Sequence, residues 1–218
     1  MRAVGGQEGH AAIALRAERE VPISAMRVNE AKDCLRLRKN NYSTTFPSRE
    51  QWKQEGNMFP PGSLVYYTDG SRARNQYSGA GIYLENSGVQ QSYSLGSYAT
   101  VFQAEVFAIL MVAQREGVKN CTEERIFICS DSQAALRAIS SPKTRSILVQ
   151  ECGDALESWA RQKEVGLVWV PGHMGISGNK SANQLALLGS GEPPQGPESL
   201  GSREEVSMGL SVDGPTED

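Results

Sequence analysis

Three acidic side chains occupy poor places for a purely structural charge: Asp69, Glu105 and Asp131. Asp69 follows the β-rich run 64–68 (LVYYT), and Asp131 follows the short apolar run 125–129 (RIFIC) and Ser130. Glu105 lies among Ala104, Val106, Phe107, Ala108 and Ile109. If the two strands are adjacent and parallel, their carboxyl-terminal ends meet where α/β folds place their sites. A buried helix crossing that edge brings Glu105 to the same point. Clustered carboxylates repel one another and stay protonated unless a cation offsets their charge. An open set of oxygen ligands favours Mg²⁺ or Mn²⁺ over zinc. The chemistry such a set serves is metal-assisted phosphodiester hydrolysis.

Each residue also has a plainer reading. Asp69-Gly70-Ser71 is a turn sequence. Ser130-Asp131-Ser132 can cap the helix that follows. A lone glutamate in an apolar helix can be half-exposed. The loop PGHMGISGN at 171–179 adds three glycines and His173, one of only two histidines. A histidine on a mobile loop beside a metal site carries a proton near neutral pH, whereas elsewhere it is an ordinary surface residue.

The elements needed to position these groups follow from pattern and punctuation. Strands are predicted at 64–68, 80–84 and 89–95, the last two joined through Asn86-Ser87-Gly88, a hairpin signal. A largely buried helix is expected over 102–116, a short strand at 125–129 and a helix at 133–139. Beyond Pro142 come a helix at 144–161, a strand at 165–170 and a last helix near 179–188. The order β-β-β-α-β-α-α-β-α implies a mixed sheet with helices packed on it.

Pro60-Pro61-Gly62 is a strong boundary signal. Residues 1–61 read as a linker or partly helical extension, with helical composition at 18–39. Residues 190–218 read as a disordered acidic tail of Gly, Pro, Ser and Glu. Charge follows the same division, at +3 over 1–60, 0 over 61–190 and −6 over 191–218. A neutral centre means that nucleic-acid binding has to rest on a local site, not on a broad basic surface. The 218 residues, 22% charged and with a mean hydropathy of −0.41, exclude a mainly disordered, collagenous or membrane protein. No signal peptide is visible, and Cys34, Cys121, Cys129 and Cys152 form neither a CxxC pair nor a zinc-spaced cluster. A reducing, intracellular setting is expected, in nucleus or cytoplasm.

Five blocks carry a family resemblance: YTDGS (67–71), GAGIY (79–83), TVFQAE (100–105), SDSQAAL (130–136) and WVPGHMGISGN (169–179). In order and spacing they resemble the ribonuclease H domain, most closely the domain of non-LTR retrotransposon polyproteins, over about 62–189. Cellular members usually have an Asn pair where this chain has Val101-Phe102. The resemblance implies a ribonuclease H-like α/β fold, a five-stranded mixed sheet of order 3-2-1-4-5 flanked by helices. It also implies an endonuclease cutting the RNA strand of RNA–DNA hybrids with two Mg²⁺ or Mn²⁺ ions, leaving 3′-hydroxyl and 5′-phosphate ends. By position, Asp69 bridges both ions, Glu105 and Asp131 complete the site nearer the leaving group, and His173 assists proton transfer and product release. Gly70, Ser71, Gln103, Ser132 and Gln133 are the expected substrate contacts, reading 2′-hydroxyls and backbone shape.

One departure concerns the final helix, which in the family begins with a pattern like GNExAD whose Asp is the fourth metal ligand. Here the residues are Gly178-Asn179-Lys180-Ser181-Ala182-Asn183, so Asn183 holds that position and Lys180 replaces an acidic residue. An amide oxygen can ligate a hard cation but brings no charge, so a weakened metal site is expected. The same departure leaves open a catalytically inactive, hybrid-binding relic. Residues 139–144 leave no room for the basic helical extension of some cellular members. A fragment of a reverse transcriptase polyprotein is the expected context.

Overall fold

The computed structural model describes residues 40–54, 58–74, 77–85, 87–115 and 122–194. The strands are β1 (Ser43–Thr45), β2 (Leu64–Arg72), β3 (Ser78–Leu84), β4 (Gln90–Ser94), β5 (Arg125–Ser130) and β6 (Glu164–Trp169). The helices are α1 (Arg49–Gln54), α2 (Val101–Ala113), α3 (Gln133–Ser140), α4 (Ile147–Ala160) and α5 (Ser177–Gly191). One mixed sheet runs in the order β1-β6-β5-β2-β3-β4. β2 sits at its centre, parallel to β5 and antiparallel to β3. This parallel pairing, with Thr68 opposite Ser130, brings the ends of both strands to one edge.

The strand order expected from the resemblance holds for β2 to β6, but the sheet has six strands and not five. The sixth, β1, comes from the segment read as a linker and pairs in parallel with β6, Thr44 opposite Leu167. β6 would otherwise be an open edge, and three β-tolerant residues are enough to cover part of it. Two residues of the same stretch also fasten elsewhere: the Tyr42 hydroxyl donates to the Ile139 carbonyl at 2.8 Å, and the Phe59 ring lies 5.0 Å from that of Phe127. The proposed helix at 18–39 lies outside the described residues.

The two sheet faces are covered differently. α2 packs on β2 and β3, and α3 and α4 extend the layer around Ile109, Ile128, Leu136, Leu156 and Leu167, all inaccessible. The other face receives α5 over β2, β3 and β4. α5 comes so close that a Cβ on Gly81 would collide with the Ala182 carbonyl and the Ala186 backbone nitrogen. It also runs to Gly191, three residues beyond its expected end, because Ser190 and Gly189 are buried against β3 and β4. Most of the proposed tail, from 195 onward, lies outside the described residues. Among the described residues no helix is long and apolar enough to cross a membrane.

Candidate metal centre

The site grows from the end of the β2–β5 pair. β2 does not turn at Asp69-Gly70-Ser71 but continues to Arg72, with Asp69 opposite Gly81 of β3. The turn reading fails because Gly70 serves close approach: a Cβ there would lie 2.5 Å from the Glu105 nitrogen and 2.9 Å from its Cγ. A glycine in mid-strand lets α2 press its backbone onto the sheet. Glu105 is therefore not half-exposed but 5% accessible, and Asp69 is 3% accessible. Thr100 and Gln103 close a capping box that sets the start of α2, and the Gln103 amide oxygen accepts the Thr100 N–H at 2.9 Å.

Asp131 follows β5. The cap of α3 is Ser132, whose hydroxyl accepts the Ala135 N–H at 3.3 Å, so Asp131 is free of the capping role. Carboxylate oxygens of Asp69, Glu105 and Asp131 lie within 4.8 Å of one another. Each is braced. Asn183 donates through Nδ2 to Asp69 Oδ2 at 3.1 Å, and Asn179 donates through Nδ2 to Asp131 Oδ2 at 3.2 Å. The Ser130 hydroxyl lies 3.4 Å from Glu105 Oε2, and the Gly70 N–H also donates to that carboxyl.

Burial and crowding raise the carboxyls of Asp69 and Glu105 above the usual carboxylate range. Asp69 is pushed up to about 7, first by desolvation and then by the Asp131 charge, while the Asn183 amide pulls it back. Glu105 lies well above the usual range, from desolvation, then Asp69, then Asp131, partly offset by Gly70 and Ser130. Like charges in a low-dielectric cleft produce this pattern.

The residues fit a divalent cation. All three donors are oxygens, and ligands opposite one another on Mg²⁺ stand about 4.2 Å apart. Three ligands of one octahedral ion include at least two neighbouring pairs, about 3 Å apart, so the set held within 4.8 Å draws in on binding. Asn179 is buried, and its Oδ1 has no hydrogen-bond partner among the described residues, leaving a further oxygen beside Asp131.

The remaining candidates fall into two groups. His173 is exposed, at φ 61°, a left-handed conformation that histidine tolerates better than most residues. The loop bearing it runs against the site, since a Cβ on Gly172 would lie 3.0 Å from Asp131 Oδ2. Ser71 is half-buried, two residues beyond Asp69 on β2. Ser132 and Gln133 start α3, and the exposed Gln133 accepts from Arg137 at 3.4 Å. Gly70 uses its N–H on Glu105, so it supports the carboxylate from behind. Reasoning from sequence missed Asn179, Ser130 and Trp169, whose indole N–H donates to the Asp131 carbonyl at 3.1 Å. A polar residue that becomes buried at a helix start, as Asn179 does, was the available signal.

A central strand that carries one carboxylate, a parallel neighbour followed by a second and a buried helix that supplies a third define a ribonuclease H-like fold with an acidic cluster able to hold a metal ion. The sequence profile of the RNase H family matches residues 61–190, and the chain belongs to the RNase H family.

Proposed function

We propose that this chain is a metal-dependent endonuclease that hydrolyses the RNA strand of RNA–DNA hybrids. Its origin is the reverse transcriptase polyprotein of a non-LTR retrotransposon, on the five blocks of resemblance. The observation that carries the reading is the convergence of Asp69, Glu105 and Asp131 within 4.8 Å, inside the stretch matched by the family. These carboxylates hold Mg²⁺ or Mn²⁺, which when bound supplies an activated water and stabilises the leaving oxygen.

The chain's own residues do the rest. Asp69, at about 7 without a cation, releases its proton near neutral pH, so that pH range governs loading of the site. Asn179 fixes the orientation of Asp131, and Ser130 and Gly70 fix that of Glu105. His173, on the loop that touches Asp131 through Gly172, transfers a proton to the leaving 3′-oxygen. Gln103, Ser71, Ser132 and Gln133, the positions that the resemblance offers as substrate contacts, bind 2′-hydroxyls and phosphates of the hybrid.

A specific observation favours a second reading, an inactive relic that binds hybrids without cutting them. The Asn183 amide N–H engages Asp69 Oδ2, so the fourth position supplies a neutral donor group where the family supplies a carboxylate. Cleavage of an end-labelled hybrid with Mg²⁺, with Mn²⁺ and with EDTA separates the two. RNA-strand cuts that need the cation and vanish in Asp69→Asn establish the nuclease. Binding without cuts in either metal establishes the relic, and cuts in the DNA strand overturn both.

A further inference from the structure

Strand β6 ends at Trp169, directly before the loop that carries Gly172 and His173, and two polar groups of this residue are engaged. Its indole N–H donates to the Asp131 carbonyl at 3.1 Å. Its own carbonyl accepts the indole N–H of Trp52, on α1, also at 3.1 Å. The reason for the second bond lies in the register. Val170 sends its N–H to Ser130 on the β5 side, so the preceding carbonyl faces the β1 side. β1, however, stops at Thr45, opposite Val168. Among the described residues no strand remains beside Trp169, and a carbonyl withdrawn from water needs a partner. Trp52 takes the place of the missing strand residue.

The base from which Trp52 reaches is itself fixed. Asn40 donates to the Ser140 carbonyl at 3.0 Å, Arg137 lies 4.7 Å over the Phe46 ring, and Phe59 makes an edge contact with Trp52 at 6.2 Å. Asp131 is then restrained twice, its main chain through Trp169 and its side chain through Asn179 of α5. We propose that Trp52 is a positioning residue for the site: from the N-terminal segment it fixes the end of β6, and through Trp169 it fixes Asp131 and the loop 170–176. Only the effect on cleavage rests on the nuclease reading; the mechanical link does not.

The test uses the full chain with Trp52→Phe, which keeps a ring against Phe59 and deletes the N–H. Hydrogen exchange in the metal-free protein should quicken about tenfold at the Trp169 indole and the 170–176 amides, while β3 and α2 amides are unchanged. Hybrid cleavage should lose about three- to tenfold in kcat with KM unmoved. Trp169→Phe should lose a similar factor, and the double variant should lose no more than the larger single loss. Unaltered exchange at Trp169 and the loop overturns the proposal, as does faster exchange spread evenly over β3 and α2. If Trp52→Phe does not fold, the native protein decides: the Trp52 and Trp169 indole protons must exchange through one opening, with equal protection, and unequal protection breaks the link. Absence of cleavage in the native chain defeats the nuclease reading alone, because the exchange data still decide on Trp52.

Discussion

The Asn183 amide donates to Asp69 Oδ2 across 3.1 Å, joining the second turn of α5 to an acid of the central strand. Replacing that donor with a carboxylate exchanges an attraction for a repulsion when no cation is present, and the reverse holds once one is bound. Asn183→Asp should therefore lower the Mg²⁺ concentration for half-maximal cleavage and raise the rate about ten- to hundredfold, equivalent to about 1–3 kcal/mol. With EDTA at pH 7.5 the same variant should melt below the native protein. Metal titration of cleavage and paired melting curves check both signs. An unmoved metal dependence in an active protein would place Asn183 outside the metal site.

Stability without metal should depend on pH through Asp69. Its carboxyl ionises near 4 when unfolded and at about 7 when folded, so the folded state binds the extra proton between those values. The contribution is fully present below about pH 4 and is lost as pH rises through about 7. A shift of this size corresponds to on the order of 4 kcal/mol. In EDTA the native chain should lose melting temperature between pH 5 and 8, and Asp69→Asn should flatten that slope. Mg²⁺ should restore more stability at pH 8 than at pH 5. A native profile as flat as that of the variant would show that the carboxyl is not held protonated.

Glu105→Gln separates charge from shape. The amide keeps an acceptor for the Gly70 N–H and the Ser130 hydroxyl, yet removes a buried acid crowded by Asp69 and Asp131. Cleavage should fall by at least about a hundredfold, while the metal-free protein melts at the same temperature or a few degrees higher. A clear drop in melting temperature would mark Glu105 as a structural residue.

Much of this site was legible because β2, β5 and α2 announce themselves. Alternating or continuous apolar runs located the strands that carry Asp69 and precede Asp131, although β2 runs on past Asp69 to Arg72, and the unbroken apolar surface of α2 made Glu105 conspicuous. Gly70 was misread since local turn preference cannot register a helix pressing on the strand from a residue far along the chain. β1 escaped for a related reason: three residues carry too little periodicity, and only the open edge of β6 gives them a partner. Trp52 belongs to the same class, its role arising from a carbonyl 117 positions away.

The rim of the site offers a contact that hydrogen bonding alone does not supply. Val101 and Phe102 open α2, the helix that presents Glu105, and they remain 42% and 36% accessible; Tyr98 just before them is also exposed. Large apolar side chains clustered beside a cleft form a contact surface. On the proposed function, these side chains, standing where cellular members of the resemblance have an Asn pair, pack on bases and sugars of the hybrid. Phe102→Ala should raise KM for the hybrid about tenfold, the loss of one such contact, with kcat within about twofold. Because Phe102 is partly exposed, the fold should lose little stability. Phe102→Asn should recover binding only if a hydrogen-bonding side chain can take over, and a ribose-to-deoxyribose substitution in the strand to be cut tests that directly. Steady-state kinetics on one hybrid length, with melting curves alongside, distinguish the outcomes: a kcat loss at constant KM would move Phe102 from substrate contact to support of Glu105.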